Sequence, residues 1–201
     1  MIKRLVLLFL ALSPFLAYAA TGCDLNDPDR DVKRLFPTST GYKTSYASIQ
    51  KSGGKATLAA VEKALGDKFG GLYETIDAPY TIYTIYKGNS VIGYVHGVNQ
   101  KGAYGGLQVF LALDTKGKIT GFYYQKLSSK NAAKFKAAAF ANQFTGLSLA
   151  DFATLDIKTG KGTGKAALIK NPSTATDKDF LNTLRGVKKN LVLMNVFIYN
   201  K

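Results

Sequence analysis

Apolar residues alternate strictly at Leu107, Val109, Leu111 and Leu113, which predicts a β-strand with one buried face. Asp114-Thr115-Lys116-Gly117 is a turn sequence, and Ile119 to Gln125 predicts the returning strand of a hairpin. Thr81 to Tyr86 is β-branched and aromatic throughout and predicts a further strand. Lys87-Gly88-Asn89 turns the chain into another strand, Ser90 to His96. Neighbours joined by such short turns imply an antiparallel meander rather than a parallel, nucleotide-type sheet. Helical spacing predicts three helices. Leu58, Val61 and Leu65 define one over Lys55 to Leu65, between the turn Ser52-Gly53-Gly54 and Gly66. Asn131 to Phe144 is alanine-rich, with Ala133, Ala137, Phe140 and Phe144 on one face and Gly146 as a stop. From Asp177 onward, Phe180, Leu184, Val187, Leu191 and Met194 step by 3 or 4, predicting a long C-terminal helix. Asp24 to Arg34, followed by Phe36-Pro37, reads as a short helix or ordered arm, and Thr159 to Lys165 as a Gly/Lys/Thr loop. With no repeat and no long linker, the expectation is one α+β domain: an antiparallel meander sheet packed by helices.

The chain starts with a different pattern. Lys3 and Arg4 form a basic head, Leu5 to Leu16 an apolar run broken only by Ser13 and Pro14, and Ala17-Tyr18-Ala19-Ala20 a small-residue end. This is the layout of a secretory signal, and the run is shorter than the ~20 apolar residues of a membrane span. Residues 1–22 are therefore expected to be a signal peptide and residues 23–201 the mature domain, placed on the extracytoplasmic side of a bacterial envelope. Cys23 is the only cysteine, so no internal disulfide can form. Ala20-Thr21-Gly22-Cys23 resembles a lipobox with Ala20 in the usual leucine position, which would make Cys23 the lipidated first residue. Simple cleavage after Ala19, leaving a free thiol, is the other reading, and both stay open.

Export changes what the charge means. After residues 1–22 are removed, 25 basic residues stand against 13 acidic, a net charge of +12. Such a surface attracts phosphates, anionic lipid or acidic proteins. Nucleic acid, the usual partner of a basic cytosolic protein, is set aside by the export signal.

Several familiar chemistries are excluded by spacing. Gly160-Lys161-Gly162-Thr163-Gly164-Lys165 has three residues between Gly160 and Gly164 where a phosphate loop needs four, and Ala166 stands where a hydroxyl must hold magnesium. His96 is the only histidine, expected at a strand end in a structural or exposed setting, so no ordinary zinc or haem site can be assembled. No G-x-S-x-G elbow offers a serine nucleophile. The segment Ile169-Lys170-Asn171-Pro172-Ser173-Thr174-Ala175-Thr176 is more informative, because it leads into the terminal helix, whose unpaired N–H groups suit a phosphate. The Thr176…Asp179 spacing also predicts a plain helix-capping pair, which explains a threonine there without any ligand.

Three motifs together resemble a known family. Gly102-Ala103-Tyr104-Gly105-Gly106 precedes the Leu107 strand, and Asp114 to Ile119 reads D-x-x-G-K-I. Phe140-Ala141-Asn142-Gln143-Phe144-Thr145-Gly146 reads F-x-x-Q-F-x-G. From about Gly93 to the last helix, roughly half the chain is similar to the FMN-binding domain of the Rnf complex G subunit and of the C subunit of the sodium-pumping NADH:quinone reductase. In that family an S-G-A-T threonine is esterified to the FMN phosphate by a dedicated transferase. Ser173-Thr174-Ala175-Thr176 resembles that motif, which implies Thr176 as acceptor, with Ser173, Thr174 and Ala175 beside it. Thr174 replaces the glycine, Lys170 stands where an acidic residue is usual, and Lys126-Leu127-Ser128-Ser129 replaces E-T-P-G near the flavin. Ser128 and Ser129 remain candidate hydrogen-bond donors to the ring, with Tyr83, Tyr86 or Tyr123 as stacking surfaces. The resemblance implies an FMN-binding electron-transfer protein working with a membrane redox complex or a periplasmic electron-transfer protein. Linkage through the ester and binding without it both stay open. So does a flavin-free domain of the same fold acting as a basic docking module.

Overall fold

The computed structural model describes residues 23–70, 72, 75–174 and 177–200. Five strands follow one another in space as they do in sequence: β1 (Gly41–Ala47), β2 (Tyr80–Lys87), β3 (Ser90–Lys101), β4 (Gly106–Leu113) and β5 (Ile119–Leu127). Every neighbouring pair is antiparallel, so the sheet is the expected meander in an α+β fold. β3 runs on past His96 to Lys101, because Val98 and Gln100 continue its inward face opposite Val109 and Leu107. His96 accordingly sits within the strand and is fully buried, not at a strand end. β1 carries no hydrophobic alternation; five of its seven residues are exposed, as befits a strand at the edge of the sheet.

Both sheet faces are covered. Val109, Leu111 and Leu113 of β4 join Ile82, Val98 and Phe122 in the main core. On the other face Tyr83, Ile85, Val95, Phe110 and Ala112 meet Cys23, Leu25 and Phe36 together with Val32 of α1 (Pro28–Leu35). Gly97 permits this second packing, since a Cβ there would come within 2.5 Å of the Phe110 ring. The N-terminal arm is tied down by polar contacts as well. Leu25 N donates to Tyr83 Oη at 3.0 Å, Asn26 N to Gln125 Oε1 at 2.8 Å, and Gln125 Nε2 to the Asp24 carbonyl at 2.7 Å.

The terminal helix α5 (Lys178–Met194) lies on the main face and continues into a π-helical turn, Asn195–Tyr199. Its stripe of Leu184, Val187, Leu191 and Met194 is buried, as the spacing implies. Arg185, Lys188, Lys189 and Asn190 are buried too, because α2 (Gly54–Leu65) and the connection around residues 149–168 wrap the helix from the other side. Burying such groups is costly unless each is bonded, and each is. Arg185 donates to Gln100 Oε1 at 2.6 Å, to Asp67 Oδ2 at 3.1 Å and to the Lys68 carbonyl at 3.0 Å. Lys188 Nζ donates to the Leu155 carbonyl at 3.0 Å, and Lys189 Nζ to the Asn99 carbonyl. Asn190 Nδ2 donates to the His96 carbonyl at 2.8 Å, which turns Asn190 Oδ1 toward the ring, 2.9 Å from His96 Nδ1.

The single helix expected over Asn131 to Phe144 is broken instead into α3 (Ala132–Lys136), α4 (Ala138–Ala141) and a 3-10 turn, Asn142–Phe144. Ala137 is extended, with ψ 139°, and both Ala133 and Ala137 are exposed. The cause is Phe135. On a continuous helix it would point about 140° away from Phe140; the break lets Phe135, Phe140 and Phe144 all reach the core. No helix among the described residues is long and apolar enough to cross a membrane.

Candidate functional site

Three connections meet at the start of α5: the glycine-rich β3–β4 turn, the β5–α3 turn and the described residues Asn171 to Thr174 together with Asp177. They enclose a pocket of about 490 Å3 lined by Ala103, Tyr104, Asn131, Thr174, Asp177 and Lys178. That volume lies within the ~300–1,000 Å3 of small-molecule sites.

Each wall is fixed by hydrogen bonds between the connections. In the β3–β4 turn Gly102 N donates to the Gly105 carbonyl at 2.7 Å, and Gly105 adopts φ 140°, which disfavours any side chain. Ala103 N donates to Asp179 Oδ1 at 2.7 Å, tying this turn to the first turn of α5. Asn131 Nδ2 donates to Asp177 Oδ2 at 2.8 Å, while Asp177 Oδ1 caps the helix by accepting from Asp179 N at 2.9 Å. Both oxygens of the Asp177 carboxylate therefore have partners within the pocket wall. The N-cap of α5 is Asp177; Thr176, the other half of the capping pair expected with Asp179, lies outside the described residues. Asp179 turns inward, with Oδ1 toward the glycine-rich turn.

Farther back, Gln143 of the F-x-x-Q-F-x-G segment clamps the main chain at Lys170. Lys170 N donates to Gln143 Oε1 at 2.7 Å and Gln143 Nε2 to the Lys170 carbonyl at 3.1 Å. This fixes the approach to the S-T-A-T segment from outside the pocket. Ser173 N donates to Asn171 Oδ1 at 2.9 Å, and the buried Ser173 Oγ has no hydrogen-bond partner among the described residues.

Thr174 lines the pocket and Ser173 precedes it, whereas Ala175 and Thr176 lie outside the described residues. Ser128 packs directly behind the glycine-rich turn; a Cβ on Gly105 would lie 2.9 Å from its own. Ser129 Oγ accepts from Asn131 N at 3.2 Å and so braces the asparagine that holds Asp177. The three candidate stacking tyrosines are elsewhere. Tyr83 and Tyr123 pack on the N-terminal face, Tyr123 stacked on Phe110 with Arg34 over its ring, and Tyr86 lies under Lys43. Tyr104 is the aromatic group lining the pocket among the described residues: it is 55% exposed, with Lys130 Nζ 4.9 Å from its ring centroid. Its signal was present in the glycine-rich motif, but periodicity is silent about a turn residue.

Cys23 is 1% exposed, and its thiol donates to Asn99 Oδ1 at 3.3 Å. Burial pushes its pKa up to about 12, so the group is a protonated, shielded thiol. A sulfur carrying a lipid would have to leave this pocket. Residues 1–22, the expected signal segment, lie outside the described residues.

No model of a known protein family matches this chain, and no curated protein matches it in sequence. The likeness to FMN-binding domains rests on the motifs quoted above.

Proposed function

We propose that this is an exported, envelope-located protein that holds FMN in the pocket at the start of α5 and passes electrons between a membrane redox complex and a periplasmic partner. The observation that carries this reading is one pocket of ligand size lined by Ala103 and Tyr104 of the glycine-rich turn, by Asn131 just after the Ser128-Ser129 turn and by Thr174 of the S-T-A-T segment. When bound, the flavin supplies the redox chemistry, and the protein sets its position and potential.

The chain's own groups divide the work. The α5 N-terminus and Lys178 supply positive potential for a phosphate. Tyr104 offers an exposed ring face, and Ser173 a hydroxyl without a partner among the described residues. Thr176 stands at the position of a phosphate ester in the family motif. Thr174 and Ala175 connect these two residues, and Ser128 and Ser129 hold the opposite wall.

A flavin-free docking module is favoured by a different observation. Asp177 puts a carboxylate in the pocket wall, and Thr174 adds a side chain where the family has glycine. Titration with FMN, followed by quenching of flavin fluorescence, separates the two readings. Saturable binding should weaken about tenfold or more in Lys178→Glu, a charge reversal at the helix start, and in Tyr104→Ala, with unfolding midpoints unchanged. Binding that ignores both substitutions would place any flavin elsewhere and leave the docking reading standing.

A further inference from the structure

The most exposed large apolar side chain among the described residues is Leu168, at 76%. It ends the short 3-10 turn Lys165–Leu168, between Ala166 and Ile169, which are both buried in the main core. The turn is thus anchored, and Leu168 is held outward on it. Lys165 and Lys170 flank it. The Gln143 clamp on Lys170 brings this turn against α3 and α4, where Lys134, Lys170, Phe140 and Pro172 line one groove of about 290 Å3. Lys130, Lys134 and Lys170 are exposed, and none forms an ion pair among the described residues. Asp151, whose carboxyl feels the charge of Lys165, is the acid nearest this turn, and long stretches on either side of it carry only positive charge. Thr115 to Ala150 contains six lysines and no acid, and Ile157 to Thr176 four lysines and no acid.

We propose that the Leu168 turn and its surrounding lysines dock this protein on a bilayer surface bearing anionic headgroups. Leu168 enters the headgroup layer while Lys134, Lys165 and Lys170 lie against lipid phosphates. One projecting leucine needs only a fluid apolar layer beneath it, and flexible lysines reach phosphates without fixed partner geometry. An acidic protein would call for a broader apolar patch, and Leu168 stands alone. Contact through this face also needs no lipid on Cys23, whose sulfur is buried on the other side of the sheet. The inference rests on the envelope location proposed above and is independent of flavin binding.

Co-sedimentation of the processed protein, isolated from cells, with vesicles of one part phosphatidylglycerol to two parts phosphatidylcholine tests it. Binding should be strong to these, weak to pure phosphatidylcholine and lost at high salt. The triple variant Lys134→Gln, Lys165→Gln, Lys170→Gln should bind on the order of a hundredfold more weakly, about fivefold per lysine. Leu168→Ser, which leaves the charge intact, should weaken binding about tenfold. Both should keep the parent unfolding midpoint. Equal binding to both vesicle types, or binding unmoved by the substitutions, would assign the contact to an acyl chain or residual signal segment and overturn the proposal. No binding to either vesicle would overturn it in favour of a protein partner.

Discussion

Replacing Leu191 by Ala should lower the unfolding free energy by about 2–5 kcal/mol. Leu191 is 3% exposed and sits on the stripe of α5 that packs in the main core. Truncation there leaves a cavity that the sheet on one side and the wrapped connections on the other have little room to close. The contrast is internal to the protein. Leu168→Ser removes a leucine of the same size from the surface and should change stability by less than about 0.5 kcal/mol. Urea unfolding of the two variants in parallel checks both. A near-neutral Leu191→Ala would mean that α5 is not the central helix, and the pocket built on its first turn would lose its support.

Acidification should remove about 3 kcal/mol of stability between pH 6.5 and pH 4, through His96 alone. Full burial pushes the His96 pKa down to about 4, opposed only in part by its bond to Asn190. Because the Asn190 amide nitrogen is committed to the His96 carbonyl, Nδ1–H donates to Asn190 Oδ1, and Nε2 is left unprotonated with no partner among the described residues. Protonation would place an unpaired charge there. In the unfolded chain the ring titrates near 6.5. Between 6.5 and 4 the unfolded state takes up a proton that the folded state does not, so stability is fully present above 6.5 and drains as pH falls, at about 1.4 kcal/mol per pH unit. The carboxyls of Asp67 and Asp151 are held below their ordinary range, so their contribution is lost only at lower pH. Urea unfolding at pH 6.5 and 4.5, with the proton resonance of this single histidine followed by NMR, checks both size and source. A histidine that titrates near 6.5 in the folded protein would contradict the buried His96–Asn190 pair.

What the sequence revealed depended on whether a segment's own spacing determined its structure. The β4–β5 hairpin and the α5 stripe were legible because one buried face imposes a period of 2 or 3.6 on the residues themselves. The edge strand β1 buries too little to leave that mark, so its exposed Tyr-Lys-Thr-Ser-Tyr run gave no signal. Tertiary packing overrode the alanine-rich helix, where turning Phe135 inward outweighed one continuous ladder. No spacing marks Lys188, Lys189 and Arg185 as buried, since their carbonyl and amide partners come from distant segments. At the candidate site the segments were recognisable as motifs. Their meeting was not, because it runs through Asn131, Asp177 and Asp179, polar residues whose mutual contacts follow no period.

The most direct measurement is the absorption and fluorescence spectrum of the protein purified from its native host, which supplies any attaching enzyme. Flavin absorbance at close to one equivalent per chain is the expected result. Colour that survives denaturation and is lost in Thr176→Val would mark the ester, and colour released by denaturation would mark binding without it. Protein that is colourless as isolated and takes up no FMN when incubated with it would contradict the proposed electron-transfer function.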